Sequence, residues 1–194
     1  MNTVQSVLYI DILEELQKNY NFSDTEGIFG VNPGELLNSF VMFSGYRDLD
    51  LYDLFKVVIN GQVFYFGTLE VEYTWKESRY PSAMREFQNF MIKKLDFGYG
   101  KMLIRPETIQ DKVQEIFVKS EIDFTDHPGF SSRYYFVAED KGLARSFATD
   151  RRLSLIEMQR ELYVEVNNNL LLAKFARNVN YDDCLSLLEL GELL

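Results

Sequence analysis

The single histidine of the chain, His127, lies in "EIDFTDHPGFSSRYYFVAED" (residues 121–140), close to Asp123, Asp126, Ser131 and Ser132. Carboxylate and imidazole side by side are metal-ligand chemistry, and imidazole is the side chain whose ordinary pKa lies near neutrality. A nearby hydroxyl could complete, on paper, a triad of Ser131 or Ser132, His127 and Asp123. Each assignment lacks its context. Asp126 and His127 are adjacent, so a metal would need further ligands from elsewhere, and the sequence has no HExxH, no CxxC and no second histidine. The strained G-x-S-x-G elbow that presents a hydrolase serine is also missing. Turn chemistry accounts for the same residues: Asp126 caps, Pro128-Gly129 bend the chain, and the serines satisfy backbone groups ahead of a strand. The loop is read first as a turn. Asp123, Asp126, His127 and Ser131 are kept as candidate binding residues, and no catalytic residue, metal ligand or cofactor is assigned.

Other candidates are weaker. Asp48, Asp50 and Asp53 in "RDLDLYD" have the spacing of a calcium loop but lack its central glycine and its twelfth-position glutamate, and Leu49 and Leu51 alternate as in a strand. Glu70 and Glu72 could form a carboxylate pair; a solvated strand face explains them as well. "GIFG" (27–30) and "GYG" (98–100) lack the spacing that cradles phosphate. Tyr65, Tyr73, Trp75 and Tyr135 could line an aromatic pocket, which adds Tyr73 and Trp75 to the binding candidates. Cys184 reads as a small core residue.

These residues must be positioned by the elements around them. Val4, Leu8, Ile12 and Leu16 form an i, i+4 ladder, so the N-terminal segment is expected to be an amphipathic helix. From about residue 51 the period changes to that of strands, and Asn60-Gly61 joins two β-rich runs as a hairpin turn whose two residues tolerate positive φ. Val63, Tyr65, Leu69, Val71, Tyr73 and Trp75 are expected to share one face of the second run. Phe64 and Phe66 share the other, so that end is covered on both sides, and Gly67 marks a bulge or a close backbone approach. "KESRYPSAMR" reads as a polar hairpin tip, "EFQNFMIKKL" and "KMLIR" as strands, and "PETIQDKVQEIFVK" as a helix with Pro106 in its first turn. "RYYFVAE", a short helix in "DKGLARSFA" and a helix capped by Thr149 follow. A hairpin turning at "NNN" and a leucine-faced terminal helix capped by Asn180 close the chain. Strands meeting by hairpins, with helices grouped between and after them, predict an α+β fold with a mainly antiparallel sheet. Residues 1–45 read as an N-terminal helical appendage and residues 46–194 as a single α+β domain.

Composition narrows the class. A chain of 194 residues with 46% hydrophobic residues, sixteen Phe and twelve Tyr rewards burial and argues against disorder. A formal net charge of −10 repels phosphate backbones, and Arg151, Arg152 and Arg160 alternate with acids as on a solvated helix face, so no nucleic-acid partner is expected. One cysteine allows no intrachain disulfide. No apolar run approaches the roughly 18–20 residues needed to span a bilayer, and the first twenty residues lack signal-peptide features. A cytoplasmic protein without a membrane span is expected.

Taken together, "VVINGQVFYFGTLEVEYTW", "LIRPETI", "EIDFTDHPGFSSRYYFVAED" and "ARSFATDRRLSLIE" resemble a bacterial family of proteins of unknown function. In that family a hairpin glycine and an aromatic "DY-x-Y" strand precede a "PE" helix start and an "IDF…P-x-FS-x-x-Y" segment. The matching positions are Gly61, Tyr73, Pro106, Glu107, Ile122, Asp123, Phe124, Pro128, Phe130, Ser131, Tyr134 and Phe147, within about residues 40–190. The chain departs from the pattern in reading "LEVEYTW" for the usual "FDYxYT", in lacking the Thr/Gln-rich strand that follows, and in having an amphipathic helix where many relatives carry a membrane-spanning segment. The resemblance implies a scaffold and brings no activity with it.

The leading functional reading is therefore a non-catalytic α+β domain that binds a protein partner or self-associates. The alternatives are a small-molecule-binding protein with an aromatic-lined pocket and, behind it, a hydrolase or metal-dependent enzyme centred on Asp123, Asp126 and His127.

Overall fold

A computed structural model describes residues 3–44, 46, 48–75, 82–107 and 122–194. Its elements are α1 (Thr3–Gln17), β1 (Phe22–Asp24), α2 (Pro33–Leu37), a 3-10 turn (Val41–Phe43), β2 (Asp48–Ile59), β3 (Gln62–Trp75), β4 (Ser82–Lys94) and β5 (Lys101–Pro106). Then come α3 (Pro128–Ser131), β6 (Tyr134–Ala138), α4 (Lys141–Phe147), α5 (Asp150–Glu157), β7 (Leu162–Asn167), β8 (Leu170–Phe175) and α6 (Tyr181–Leu193). The strands form one sheet in the order β1-β2-β3-β4-β8-β7-β5-β6, antiparallel at every pairing, and the fold is α+β. The β7–β8 hairpin lies between β4 and β5, so the last hairpin of the chain completes the middle of the sheet. Of the helix expected over "PETIQDKVQEIFVK", Pro106 is instead the last residue of β5, opposite Tyr134, and positions 108–119 lie outside the described residues. Of the tip expected in "KESRYPSAMR", Ser82–Arg85 already belong to β4 and positions 76–81 lie outside them. Among the described residues, no helix is long and apolar enough to cross a membrane.

Local chemistry sets these elements. Asn60 and Gly61 take φ of 48° and 80°, which closes the two-residue β2–β3 turn, and Asn168 takes φ of 58° in the β7–β8 turn. At Gly67 a Cβ would come within 2.5 Å of the Phe90 ring, so glycine is required there by close approach. The bulge itself is across the strand pair, at Tyr52, where the β2 register skips from Leu51 to Asp53. Thr149 accepts from the Arg152 N–H at 3.4 Å and Asn180 from the Asp183 N–H at 3.0 Å, capping α5 and α6.

The sheet is buried on both faces. On the helical face, Phe64, Phe66, Met91, Ile104, Val164 and Ala173 pack beneath residues from α1, α3, α4, α5 and α6. The opposite cover face carries Tyr65, Leu69, Val71, Ile92 and Leu172 beneath Ile28, Leu37, Phe40 and Phe43. Double burial explains the near-continuous apolar reading of the central strands. The N-terminal segment contributes to the same sheet: Ile12 and Leu16 enter the helical-face core, and β1 pairs with β2 at Phe22–Val57.

Candidate functional site

The histidine corner is built on rings. Phe124 stacks on Phe136 at 5.6 Å and meets Phe130 edge-on at 5.7 Å, and Phe130 stacks on Tyr134 at 5.4 Å. Ser131 closes the turn: its hydroxyl accepts from the Phe124 N–H at 3.0 Å and donates to the Phe124 carbonyl at 3.2 Å. Asp123 and Asp126 are exposed. His127 meets a residue that sequence reasoning did not name, with Nε2 3.1 Å from Oδ1 of Asp150 at the start of α5. The Asp150 side chain is 97% exposed, so this pair is screened by water. The structure thus joins His127 to Asp150 and Ser131 to the backbone. Among the described residues, no group of three or more His, Cys, Asp or Glu could hold a metal ion.

A neighbouring cleft of about 420 Å³ opens between Glu107, Arg133, Arg160 and Glu161, and none of the six candidate residues lines it. Arg133 donates to the Glu157 carbonyl at 2.9 Å, and the Tyr134 hydroxyl donates to the Gln159 carbonyl at 2.9 Å. Burial pushes the Tyr134 pKa up to about 12, so its hydroxyl stays a donor.

The aromatic set does not converge either. Tyr65 is on β3 and Tyr135 on β6, third and eighth in the sheet order. Tyr73 and Trp75 lie farther along β3, Tyr73 in register with Met84 and Trp75 with Ser82. Ten residues of strand, roughly 33 Å, separate Tyr65 from Trp75.

The most developed polar constellation is on the cover face. Lys174 on β8 is 2% exposed, and its Nζ donates to the Tyr46 hydroxyl at 2.6 Å and to Gln88 Oε1 at 2.8 Å. Tyr46 in turn donates to Gln88 Oε1 at 2.9 Å, closing a triangle. The ammonium also faces the rings of Tyr46, Phe43 and Tyr163 at 4.7, 5.3 and 5.8 Å. Buried Arg105 on β5 lies over the ring of Tyr135 at 4.8 Å. The register places Lys174 opposite Tyr163 and Arg105 opposite Tyr135, so cation and ring alternate across the strands. One step along β7, buried Glu165 accepts from the Val41 N–H at 2.7 Å and the Met42 N–H at 2.8 Å. It thereby satisfies two donors at the start of the 3-10 turn, where a negative charge suits the local dipole. Burial raises the Glu165 pKa to about 7, against the pull of those two N–H groups and Lys101. Glu165 and Lys174 therefore pin the 3-10 turn and Tyr46 onto the sheet at two points.

A polar thread also runs through the helical face. Thr68 donates to Asn89 Oδ1 at 3.2 Å, and Asn89 donates to Cys184 Sγ at 2.7 Å. Burial pushes the Cys184 pKa up to about 12, which keeps it a protonated, unreactive thiol. The buried Tyr9 hydroxyl lies near Thr68 and Asp53 without a hydrogen bond of good geometry.

Sequence reasoning missed Glu165 and Lys174. Within "LYVEV" and "LLLAKFA" each reads as the outward-facing polar residue of an alternating strand. The available signal was the apolar density of both runs, which marks strands covered on both faces.

No protein-family model matches the chain, and no curated protein matches it. Among solved structures, the crystal structure of the mycobacterial trehalose monomycolate transport factor A is similar, with a TM-score of 0.55 and 10% sequence identity, covering 98% of this chain and 94% of that one. At that identity the similarity is one of fold, and the two chains share it along nearly their whole lengths.

Proposed function

We propose that the protein is a non-catalytic accessory domain that works by binding a protein partner or by self-association. One observation carries this reading: among the described residues, the polar side chains with the best-formed contacts are engaged in holding the structure together. Glu165 caps a backbone turn, Lys174 holds Tyr46, Ser131 closes its own turn, and Cys184 accepts from Asn89. Large apolar side chains such as Leu8, Ile10, Phe97 and Met158 meanwhile stay exposed. The similarity in fold to a protein described as a transport factor supports an accessory role. A cytoplasmic location belongs to the proposal and draws on the single buried free cysteine.

Sedimentation velocity across a wide protein concentration range, paired with a thermal-shift screen against metabolites and divalent cations, tests it. The reading expects association with itself or with added partner protein and no specific small-molecule shift. A stoichiometric small-molecule ligand, lost in Glu165→Ala or His127→Ala, would overturn it, because a ligand of the folded state must raise its stability.

A further inference from the structure

The cover formed by residues 25–46 stops short of one end of the sheet. There a row of side chains crosses six strands on the cover face: Val58, Val63, Lys94, Leu170, Asn167 and Lys101. Val58 faces Val63, Lys94 faces Leu170, and Asn167 faces both Leu170 and Lys101. Val63 stands one position beyond the Phe64–Lys93 pair and so is next to Lys94. Val58 and Val63 are 44% and 39% exposed, and both lysines are exposed. A third exposed lysine, Lys56, lies one step inward on the same face, opposite Tyr65. Asn167 Nδ2 donates to the Ser39 carbonyl at 3.3 Å, so the cover layer forms a wall along this floor. Phe97, 70% exposed, is at the same end of the strands, in a loop held by the Leu95 N–H to the Asn169 carbonyl and the Tyr99 N–H to the Asn168 carbonyl.

We propose that this stepped strip is the docking site for an acidic amphipathic helix of a protein partner. The inference rests on the interaction reading above and names the surface and the chemistry of the occupant. The row crosses strands whose backbone groups are already paired within the sheet, so it offers side chains and no free edge. An occupant that satisfies its own backbone, a helix, fits that condition where an added strand does not. The row spans five inter-strand spacings, roughly 24 Å, which matches about 16 residues of helix. Its floor alternates apolar area from Val58, Val63 and Leu170 with positive charge from Lys94 and Lys101. Among the described residues none of the three lysines is held in an ion pair. The row ends at Glu139, whose N–H donates to the Lys101 carbonyl at 3.0 Å, so positive charge is concentrated toward Lys94 and Lys56. A bilayer is a poorer occupant: the strip is recessed beside a wall, and the whole chain carries −10.

The probe is a fluorescent, acetylated amphipathic peptide of about 16 residues with leucines on one face and glutamates flanking them, alongside a twin with lysines in place of the glutamates. Binding is read by anisotropy against wild type, Lys94→Glu/Lys101→Glu and Val58→Ser/Val63→Ser, with melting curves confirming that each variant is folded. Wild type binds the glutamate peptide at least about tenfold more tightly than the lysine twin, and the lysine-to-glutamate variant reverses that preference. The serine variant weakens both. Equal binding of the twins, no binding of the glutamate peptide, or binding indifferent to both variants overturns the proposal. Binding to vesicles of anionic lipid that disappears in the lysine variants would assign the strip to lipid and overturn the helix. If the strip fails while concentration-dependent association persists in the same variants, the interaction reading stands and only this surface falls.

Discussion

The two faces of one sheet are covered by different means. The helical face lies under α1, α4, α5 and α6, which bring Ile12, Leu16, Phe147, Ile156, Leu187 and Leu188 down onto an aromatic floor. Gly191 lets α6 approach so closely that a Cβ there would be 2.6 Å from the Phe64 ring. Such a layer is held by area, at about 25 cal/mol per Å² of apolar surface removed from water. Among the described residues, the cover face has a five-residue helix and a three-residue 3-10 turn, too little regular structure to hold itself in place. Directional bonds make up the difference. Glu165 fixes the start of the turn and Lys174 fixes Tyr46 beyond it. Thick layers are held by contact area and thin ones by buried polar pins, so a buried charge here is a sign of fastening before it is a sign of chemistry.

The helical face should be the more sensitive of the two to lost apolar area. Phe64→Ala removes a fully buried ring from between the sheet and α6. Urea denaturation should show a loss of about 3–5 kcal/mol. A loss under about 1 kcal/mol would mean that the helical layer is not held by area after all.

A smaller effect separates the faces by pH. The pKa of Glu165 is raised to about 7 in the folded state by burial and lies in the ordinary carboxylate range when unfolded. Between those limits the folded protein holds a proton that the unfolded chain has released. The contribution of Glu165 to stability therefore falls as pH rises through this window and is level above it. Glu165→Gln removes this titration, so wild-type stability minus variant stability should fall from pH 5 to about pH 7 and level off by pH 8. A difference that does not change with pH would contradict the burial of the carboxylate.

The smallest effect belongs to the histidine corner. His127→Ala gives up a contact with an almost fully exposed carboxylate, so melting should change by no more than about 0.5 kcal/mol, with no change in metal-induced shifts. A larger destabilisation, or a divalent-metal shift lost in the variant, would return this corner to the list of working sites.

Much of this fold was legible in the sequence because its signals are local. Asn60-Gly61 announces its turn, Thr149 and Asn180 announce their helices, and the alternation around Tyr65 and Phe66 announces a strand with two buried faces. What was not legible depends on distance. β1 is three residues of "FSD" that become a strand only by pairing with Phe55–Val57. The insertion of β7–β8 between β4 and β5 is decided by pairings across about eighty residues, such as Phe90 with Lys174. Arg152, read from its neighbours as a solvated helix residue, is drawn over the rings of Phe147 and Tyr99 at 4.7 and 5.4 Å. Of the candidate site, the turn role of Ser131 was readable from its spacing. The Glu165 pin was not, because its partners Val41 and Met42 lie more than a hundred residues earlier.

The most direct test of the claim that buried polar groups fasten the cover is native-state hydrogen exchange on wild type and Glu165→Ala. Losing the acceptor should cost about 1–3 kcal/mol and act locally. The account predicts faster exchange at Val41, Met42 and the neighbouring amides of the cover, with β3, β4 and α6 unchanged relative to global stability. Uniform loss of protection across both faces, or none at residues 41–46, would contradict it.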